Sequence, residues 1–293
     1  MARLKTVRRM FFGETSEFSV IWTHLKEDKP AMFGLVLIIV LIAVALSADY
    51  VSPYDPNAQD LSMRLQGVSW THPFGLDEFG RDVLSRVIHG SRVSLEVGIV
   101  AVTISLIIGT LLGALSGYLG GWVDIVIMRF ADIFLAFPGL ILAIGITAVL
   151  GQSIINVMVA LAIVNWPGYA RVVRGQVLYI KGLDYVEASR AMGASKPSIL
   201  FGHVLPNSLA PIIVLATIGM GWAILAEAGL SFLGLGVRPP TPSWGSIIAS
   251  GREFMFRAPH IATIPGIVLA VSILAFNIFG DGLRDALDPR LRV

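Results

Sequence analysis

Long runs of apolar residues without a single charge alternate with short polar stretches along most of this chain. A helix needs about 20 apolar residues to cross a bilayer core that is about 30 Å thick. Within residues 31–48, eleven residues are Leu, Ile, Phe or Val and none is charged, which favours membrane insertion by about 5 kcal/mol. Comparable runs predict six spans, at about 31–49, 94–118, 125–150, 153–168, 209–231 and 262–281.

The third and fourth predicted spans come from one charge-free run at residues 133–170, which is too long for a single crossing. The sequence Gly-Gln-Ser at residues 151–153 is typical of a turn and divides this run into a helical hairpin. Proline lacks a backbone N–H and clashes with the preceding helical turn, so Pro138 and Pro265 are expected to kink spans three and six. Two further prolines are expected to break the helix before span five: Pro206 and Pro211.

The composition supports a membrane protein built of helices. Hydrophobic residues make up 55% of the 293 residues and charged residues only 14%, and the mean hydropathy is +0.76. Soluble domains carry about 25% charged residues, and disordered chains combine low hydrophobicity with high charge, so both classes are excluded. The predicted fold class is therefore an all-α integral membrane protein. Cysteine is absent, which excludes disulfides and thiolate metal sites.

An even number of spans places both ends of the chain on one side of the membrane. With the loop at 168–208 on that same side, 15 of the 22 Lys and Arg residues lie there. Because loops rich in Lys and Arg stay in the cytoplasm, we predict a multi-pass protein of the cell (inner) membrane with both termini cytoplasmic. Residues 1–30 and 282–293 are the predicted tails, 31–281 the transmembrane domain, and 50–93 an outer loop.

The motifs of common membrane enzymes are missing from the sequence. None of the five lysines follows a glycine, so the phosphate-binding G-x-x-x-x-G-K-[ST] loop is absent. Neither H-E-x-x-H nor G-x-S-x-G occurs. We therefore expect no catalytic residue, no metal site and no cofactor in this chain, and we do not favour a membrane-embedded enzyme.

Ion-coupled carriers usually hold ionisable residues near the middle of the bilayer, and such residues are few here. Arg129 and Asp132 are three positions apart near the inner end of span three, so they are expected to pair. Glu227 lies within about one turn of the outer end of span five; it is either part of a transport pathway or an interfacial residue that reaches water. A secondary transporter driven by an ion gradient is the disfavoured alternative.

The loop at 168–208 carries signals for two short helices joined by a glycine turn. Asp184 favours a helix start, Gly193 favours a left-handed helix end, and Ser195 caps the second helix, which Pro206 is expected to end. Helices this short are unstable alone. The pair therefore either packs only on its own spans or fits a groove in a soluble partner.

The spacing of residues in this loop resembles the E-A-A…G…L-P loop of ABC-importer permeases. The residues that carry this resemblance, and that it implies dock on an ATPase, are Glu187, Ala188, Ser189, Gly193, Ala194, Leu205 and Pro206. Further segments resemble the C-type permease of the dipeptide/oligopeptide/nickel branch: residues 72–77, 80–82, 120–124, 137–139, 231–236 and 239–245. The similarity extends from about residue 30 to the end of the chain.

The resemblance implies the type I ABC-importer permease fold and a set of partners. These are a B-type permease that forms a heterodimer with this chain, two cytoplasmic ATPases that bind ATP and Mg, and an extracytoplasmic substrate-binding protein. The implied function is import of di- or oligopeptides, with nickel or another small solute as the alternative. Membrane lipid is an expected partner, and nucleic acid is not.

Residues 79–89 alternate with a helical period, which predicts a short amphipathic helix in the outer loop. Asp77 is a plausible cap for it and Gly90 a stop. Such a helix lies on the membrane surface, and it also suits contact with the binding protein or gating. The residues predicted to meet the binding protein are Arg81, Asp82, Arg86 and Trp244.

Three glycines lie on one face of span two, at Gly109, Gly113 and Gly117. Small residues spaced four apart allow the backbones of two membrane helices to approach closely. The ridge is therefore predicted to pack against another helix, either inside this subunit or at the interface between subunits.

Overall fold

The computed structural model describes residues 17–287, so parts of both predicted tails lie outside the described residues. The regular structure within that range is helical. The helices of the first half are α1 (Glu17–Glu27), α2 (Lys29–Leu46), α3 (Ala48–Val51), α4 (Val83–Leu119), α5 (Gly121–Leu135) and α6 (Gly139–Leu150). Those of the second half are α7 (Ile154–Lys181), α8 (Asp184–Ala191), α9 (Lys196–Ile199), α10 (Leu205–Phe232), α11 (Trp244–Gly251) and α12 (His260–Leu287).

The six predicted spans all fall on these helices. In the described part of the chain, four helical stretches are long and apolar enough to cross a membrane: Lys29–Leu46, Val83–Leu119, Lys196–Phe232 and His260–Leu287. The bent pair α5 and α6 supplies a fifth if it counts as one crossing. The fourth predicted span lies on α7, whose second half carries Arg171, Arg174 and Lys181 and is correspondingly more polar.

The third predicted span is broken rather than kinked. Helix α5 ends at Leu135, α6 begins at Gly139, and the two axes meet at 87°. Pro138 lies directly before α6, where its missing N–H costs no helical hydrogen bond. The predicted turn at 151–153 is present, with Gly151 at φ +85° ending α6.

The predicted breaks before span five do not occur. A π-helical turn at Leu200–Val204 joins α9 to α10, and the helix continues through both Pro206 and Pro211. A π turn is wider than an α turn, so it leaves room for the proline ring. It also tolerates the loss of the backbone hydrogen bond that Pro206 cannot donate. Pro265 likewise lies inside α12 without ending it.

The predicted separate helix at 79–89 is also corrected by the structure. Helix α4 begins at Val83 and runs for 37 residues through Gly90. Its cap is Asp82, which accepts a hydrogen bond from the Ser85 backbone N–H at 2.7 Å, and not Asp77. Gly90 does not stop the helix. Its missing side chain instead leaves room for Trp244, whose indole Cδ1 is only 3.1 Å from where a Cβ would lie.

The glycine ridge packs inside the subunit, against α7. A Cβ on Gly109 would lie 2.5 Å from the Tyr169 Cβ, and one on Gly113 would lie 2.9 Å from the Val173 Cβ and overlap the Ala170 carbonyl. Because side chains are absent from the ridge, the two backbones approach closely over about two helical turns. This contact fixes the far end of α4 beside the polar half of α7.

Candidate functional sites: the docking segment and the polar lobe

We name residues 181–208 the docking segment and residues 52–82 the polar lobe. The polar lobe directly precedes α4. The docking segment lies near the other end of α4, because Lys181 Nζ donates a hydrogen bond to the Tyr118 carbonyl oxygen at 2.8 Å. A helix of 37 residues is about 55 Å long. The two sites are therefore separated by more than the thickness of a bilayer.

The first helix of the docking segment ends in a glycine-based Schellman motif. Gly193 has φ +88°. The Ala194 N–H donates to the Ser189 carbonyl at 3.1 Å, and the Gly193 N–H donates to the Arg190 carbonyl at 3.0 Å. This pair of bonds satisfies the last carbonyls of α8 and reverses the chain.

The second helix begins as the sequence predicts. The Ser195 side chain accepts a hydrogen bond from the Ser198 backbone N–H at 3.4 Å, and Lys196 and Pro197 occupy the first helical positions. Leu205 and Pro206 begin α10 directly after the π turn. The second half of the docking segment, from Lys196 onward, is thus continuous with α10.

One face of the docking segment is buried on the helices below it. This cluster comprises Val186, Ile199, Leu200 and Val204 of the segment, Val173, Val177 and Ile180 of α7, and Ala114 and Tyr118 of α4. Ser189 is also nearly buried, and its hydroxyl donates to the Tyr185 carbonyl at 2.9 Å. A displacement of the segment must therefore displace α4 and α7 as well.

The opposite face of the docking segment is unpartnered within the described residues. Glu187 and Ala188 are exposed, as is Pro206, while Ala194 and Leu205 are half-buried. Large apolar side chains are exposed beside them, with Met192 at 81% and Phe201 at 65%. Exposed apolar surface next to a charged helix is typical of a site that another protein covers.

Sequence reasoning missed a set of ionic contacts that joins this region to α5. Arg174 binds Asp124 through two bonds, from Nε at 2.5 Å and from Nη2 at 2.6 Å. The Ser116 hydroxyl of α4 donates to the same carboxylate. Such forked arginine–carboxylate pairs fix geometry as well as charge. Because Asp124 and Arg174 are fifty residues apart, no local spacing could have indicated the pair.

A second ionic contact links the same two helices. Arg171 Nη2 donates to Asp132 at 2.7 Å, and Arg129 lies 3.9 Å from the other oxygen of that carboxylate. The predicted pairing of Arg129 with Asp132 is therefore present, but the shorter contact comes from α7. Two ion pairs at different positions along the helices, Arg174 with Asp124 and Arg171 with Asp132, thus join α5 to α7.

The polar lobe is held by a buried carboxylate and two arginines. Asp77 accepts hydrogen bonds from the backbone N–H groups of Phe79 and Arg81, both at 2.9 Å. Its other oxygen lies 2.6 Å from Arg81 Nε and 3.4 Å from Arg86 Nε. Arg86 also donates to the Pro56 carbonyl at 3.0 Å. The carboxylate is compensated by two cations, as a buried charge requires.

Two further contacts fix the start of α4, one to the polar lobe and one to α11. The Asp82 carboxylate that caps α4 also lies 3.0 Å from His72 Nδ1. Trp244 is fully buried, and its indole N–H donates to the Val87 carbonyl at 3.0 Å. Arg81, Asp82, Arg86 and Trp244 were predicted to meet a binding protein, but all four are buried within this chain. Their role in the structure is to hold the lobe in place.

Glu227 is a further buried carboxyl group, and it lies away from water. Its side chain is fully buried, and it accepts hydrogen bonds from the Ser94 hydroxyl at 2.8 Å and the Ser231 hydroxyl at 2.7 Å. The interpretation that Glu227 reaches water at the interface is therefore wrong for this structure. Instead the carboxyl joins α4 to the end of α10, near the loop that seats Trp244.

Comparisons with known proteins agree with this architecture. Residues 109–293 match the family model described as "Binding-protein-dependent transport system inner membrane component", and residues 16–67 match the model "N-terminal TM domain of oligopeptide transport permease C". The fold is similar to the MetNI methionine ABC transporter in inward-facing conformations, with a TM-score of 0.58, 22% identity, and coverage of 69% of this chain and 96% of that one.

Similar sequences include two kinds of permease. The dipeptide transport system permease protein DppC of Alkalihalophilus pseudofirmus is 47% identical over 281 residues, which cover 96% of this chain and 92% of the relative. The glutathione transport system permease protein GsiD of Escherichia coli O157:H7 is 46% identical over 272 residues, covering 92% and 90%. The GsiD of Pectobacterium atrosepticum is 44% identical with the same coverage. This chain therefore belongs to the family of binding-protein-dependent transport system inner membrane components.

Proposed function

We propose that this chain is one of two membrane subunits of an ATP-driven importer of short peptides, and that it couples ATP hydrolysis on one side of the membrane to substrate release through the pore. The observation that carries the proposal is the docking segment, which is buried on α4 and α7 and presents an unpartnered charged and apolar face. Membership of a transport permease family supports the same assignment.

The partners in this proposal are a B-type permease, two ATPases and a substrate-binding protein. Nucleotide closure of the ATPases pushes the docking segment, and its buried face transmits the movement to α4 and α7. The ionic contacts of Arg171 and Arg174 carry it on to α5. The subunit then changes the relative stability of the inward-open and outward-open pore, which is a coupling between two equilibria.

The chemistry of hydrolysis belongs to the partners in this scheme. ATP and Mg are bound by the ATPases, and this chain acts without catalytic residues, cofactor or metal. The charge distribution supports a position in the cell (inner) membrane with both termini and the docking segment in the cytoplasm. The polar lobe then lies outside, where the binding protein delivers substrate.

The assignment of short peptides as substrates rests on relatives. The names of the two kinds of similar permease refer to dipeptide and glutathione transport, and glutathione is itself a tripeptide derivative. Nickel or another small solute remains the second candidate for the same machinery. Neither of these two names refers to nickel, so peptides are favoured.

Reconstitution of the complete complex in liposomes tests the proposal. We expect ATP enclosed with the ATPases, together with the external binding protein, to drive uptake of labelled dipeptide or glutathione. Uptake should stop without ATP and should survive an uncoupler that collapses ion gradients. Uptake of nickel alone would transfer the assignment to that solute. Uptake that survives ATP depletion but not the uncoupler would replace the proposal with an ion-coupled transporter.

A further inference from the structure

Two aromatic side chains are completely exposed, Trp70 in the polar lobe and Phe256 in the turn between α11 and α12. Each is at the tip of a tight turn rather than on a helix. Trp70 lies in the turn from Ser69 to His72, in which the Ser69 N–H donates to the His72 carbonyl at 3.0 Å. Trp and Phe are large apolar side chains, and leaving them in water forgoes the free energy of their burial.

The turn that carries Trp70 is held by several independent contacts. The His72 ring lies 3.0 Å from Asp82 and stacks at 4.7 Å on the Tyr54 ring. The Tyr54 hydroxyl donates to the Thr71 carbonyl at 2.9 Å. At its base, the Leu76 N–H donates to the Gln66 carbonyl at 2.9 Å. The backbone turn that carries Trp70 is therefore held in place before any partner arrives.

The turn that carries Phe256 is joined to the same lobe. The Arg257 N–H donates to the Phe254 carbonyl at 2.9 Å, which closes the turn around Phe256. Three residues after this turn, His260 Nε2 lies 3.2 Å from the Leu76 carbonyl of the polar lobe. The ring of Phe254 packs on the buried cluster below. The turns that carry Trp70 and Phe256 are thus both connected to the polar lobe.

The surroundings of the two tips fit a protein partner better than lipid. Trp70 lies between Ser69 and Thr71, and Phe256 is followed by the exposed cation Arg257. The polar lobe itself carries exposed charged side chains, among them Asp55, Asp60 and Arg64, which suit water and not hydrocarbon. Exposed aromatic side chains on ordered turns, with exposed apolar neighbours such as Val68 and Met255, are typical of the residues that dominate protein–protein affinity.

We propose that Trp70 and Phe256 are the two anchors that the substrate-binding protein covers when it docks on this subunit. This inference rests on the proposed function, because it needs a binding-protein-dependent importer. It differs from the sequence-based expectation, which named residues that the structure buries. The buried network of Asp77, Arg81 and Arg86 then serves to hold the base on which the anchors stand.

Alanine variants of the complete complex in lipid nanodiscs test the anchors. For W70A and F256A we expect the dissociation constant of the fluorescently labelled, substrate-loaded binding protein to rise about tenfold or more. W70F should recover most of the loss, because it keeps an aromatic ring. The thermal midpoint should not change in any of the three variants, since neither side chain is buried. Affinities within about twofold of wild type for both alanine variants would overturn the proposal.

An environment-sensitive dye distinguishes a protein partner from the membrane. The chain has no native cysteine, so Trp70→Cys accepts a single label. We expect the emission to shift to the blue when loaded binding protein is added, and not when detergent is exchanged for lipid alone. A shift in lipid alone would assign the tip to the membrane and reject the anchor. If the wild-type complex shows no response to any binding protein, the proposed function itself fails.

Discussion

Gly113 shows how one missing side chain fixes the distance between two helices. A Cβ there would lie 2.9 Å from the Val173 Cβ and would overlap the Ala170 carbonyl, so α4 and α7 must separate. We expect Gly113→Ala to cost about 1–3 kcal/mol of stability and Gly113→Leu to cost more. Gly175→Ala is the matched control, since nothing lies within 4 Å of its Cβ position; it should be neutral or stabilising by up to about 1 kcal/mol.

The measurement for this pair is the thermal midpoint of the purified complex in detergent. Equal midpoints for Gly113→Ala and Gly175→Ala would show that the two helices do not rely on the ridge. The spacing of the three glycines was sufficient to predict close packing, because the pattern is local. It could not identify α7 as the partner, since that requires knowing which residues, more than fifty positions away, face the ridge.

Glu78 is a second position where one side chain affects the whole lobe. Burial raises the pKa of the Glu78 carboxyl, and the neighbouring negative charge of Asp77 raises it further. The folded protein therefore binds this proton at a higher pH than the unfolded chain does. The folded state gains stability as the pH falls through the raised pKa, and loses it again as the pH rises.

Glu78→Gln removes this dependence of stability on pH. It keeps an oxygen that can accept a hydrogen bond from Arg81 Nη2, which lies 3.2 Å from the Glu78 carboxylate in the unsubstituted protein. We expect its thermal midpoint to exceed that of wild type at pH 8, with the difference shrinking toward pH 4. Glu253→Gln, at an exposed site of the same region, controls for the change in net charge. A constant difference between Glu78→Gln and wild type at all pH values would contradict the expectation.

Among the elements, the docking segment depends on backbone geometry more than on the space around it. Gly193 has φ +88° and nothing within 4 Å of its Cβ position, so a side chain there is strained but not crowded. For the β-branched residue Val, the left-handed conformation at this position should cost about 1–2 kcal/mol or more of folding free energy. Asn adopts left-handed conformations readily. We expect Gly193→Val to lose binding-protein-stimulated ATP hydrolysis in the complete complex, and Gly193→Asn to keep most of it.

This pair of variants separates two explanations for the same glycine. If Gly193→Asn and Gly193→Val are equally impaired, the side chain blocks a groove in the ATPase and strain is not the cause. If both retain wild-type stimulation, this turn does not transmit movement, and the proposed coupling through α8 and α9 fails. Co-purification of the ATPases with each variant shows whether docking or transmission is lost.

Local signals predicted the parts of elements but not their continuity. The cap at Ser195 and the turn at Gly193 were predictable because each depends on one or two residues. The run of helix through Pro206 was not, because a π turn absorbs the proline. Gly90 was misjudged as a helix stop because glycine also occurs inside helices where another residue approaches closely, as Trp244 does here.

On the scale of the whole molecule, helix α4 separates two regions of different chemistry. The polar lobe at its start is fixed by buried ion pairs, whereas the docking segment near its end is fixed by apolar burial. The burial of Arg81, Asp82 and Arg86 could not be predicted from the sequence, because charged residues are ordinarily exposed. Only the fold reveals that a lobe closes over them.

The sidedness of these two regions is the last prediction, and single cysteines test it cleanly because the native chain has none. Ser62 in the polar lobe is exposed, and so is Glu27 near the opposite end of the bundle. Ser189 is a poor reporter because it is nearly buried, and exposed positions in the docking segment are expected to be covered by an ATPase. Glu27 avoids both problems.

We expect an impermeant maleimide to label Ser62→Cys in spheroplasts and to leave Glu27→Cys unlabelled until the membrane is permeabilised. The physical reason is that the predicted topology puts 15 of the 22 Lys and Arg residues of the sequence on the side of Glu27, and moving them across the membrane is opposed during insertion. Labelling of Glu27→Cys in intact spheroplasts, with protection of Ser62→Cys, would place the docking segment outside. It could then not contact ATPases that use cytoplasmic ATP, and the proposed function would have to be abandoned along with the topology.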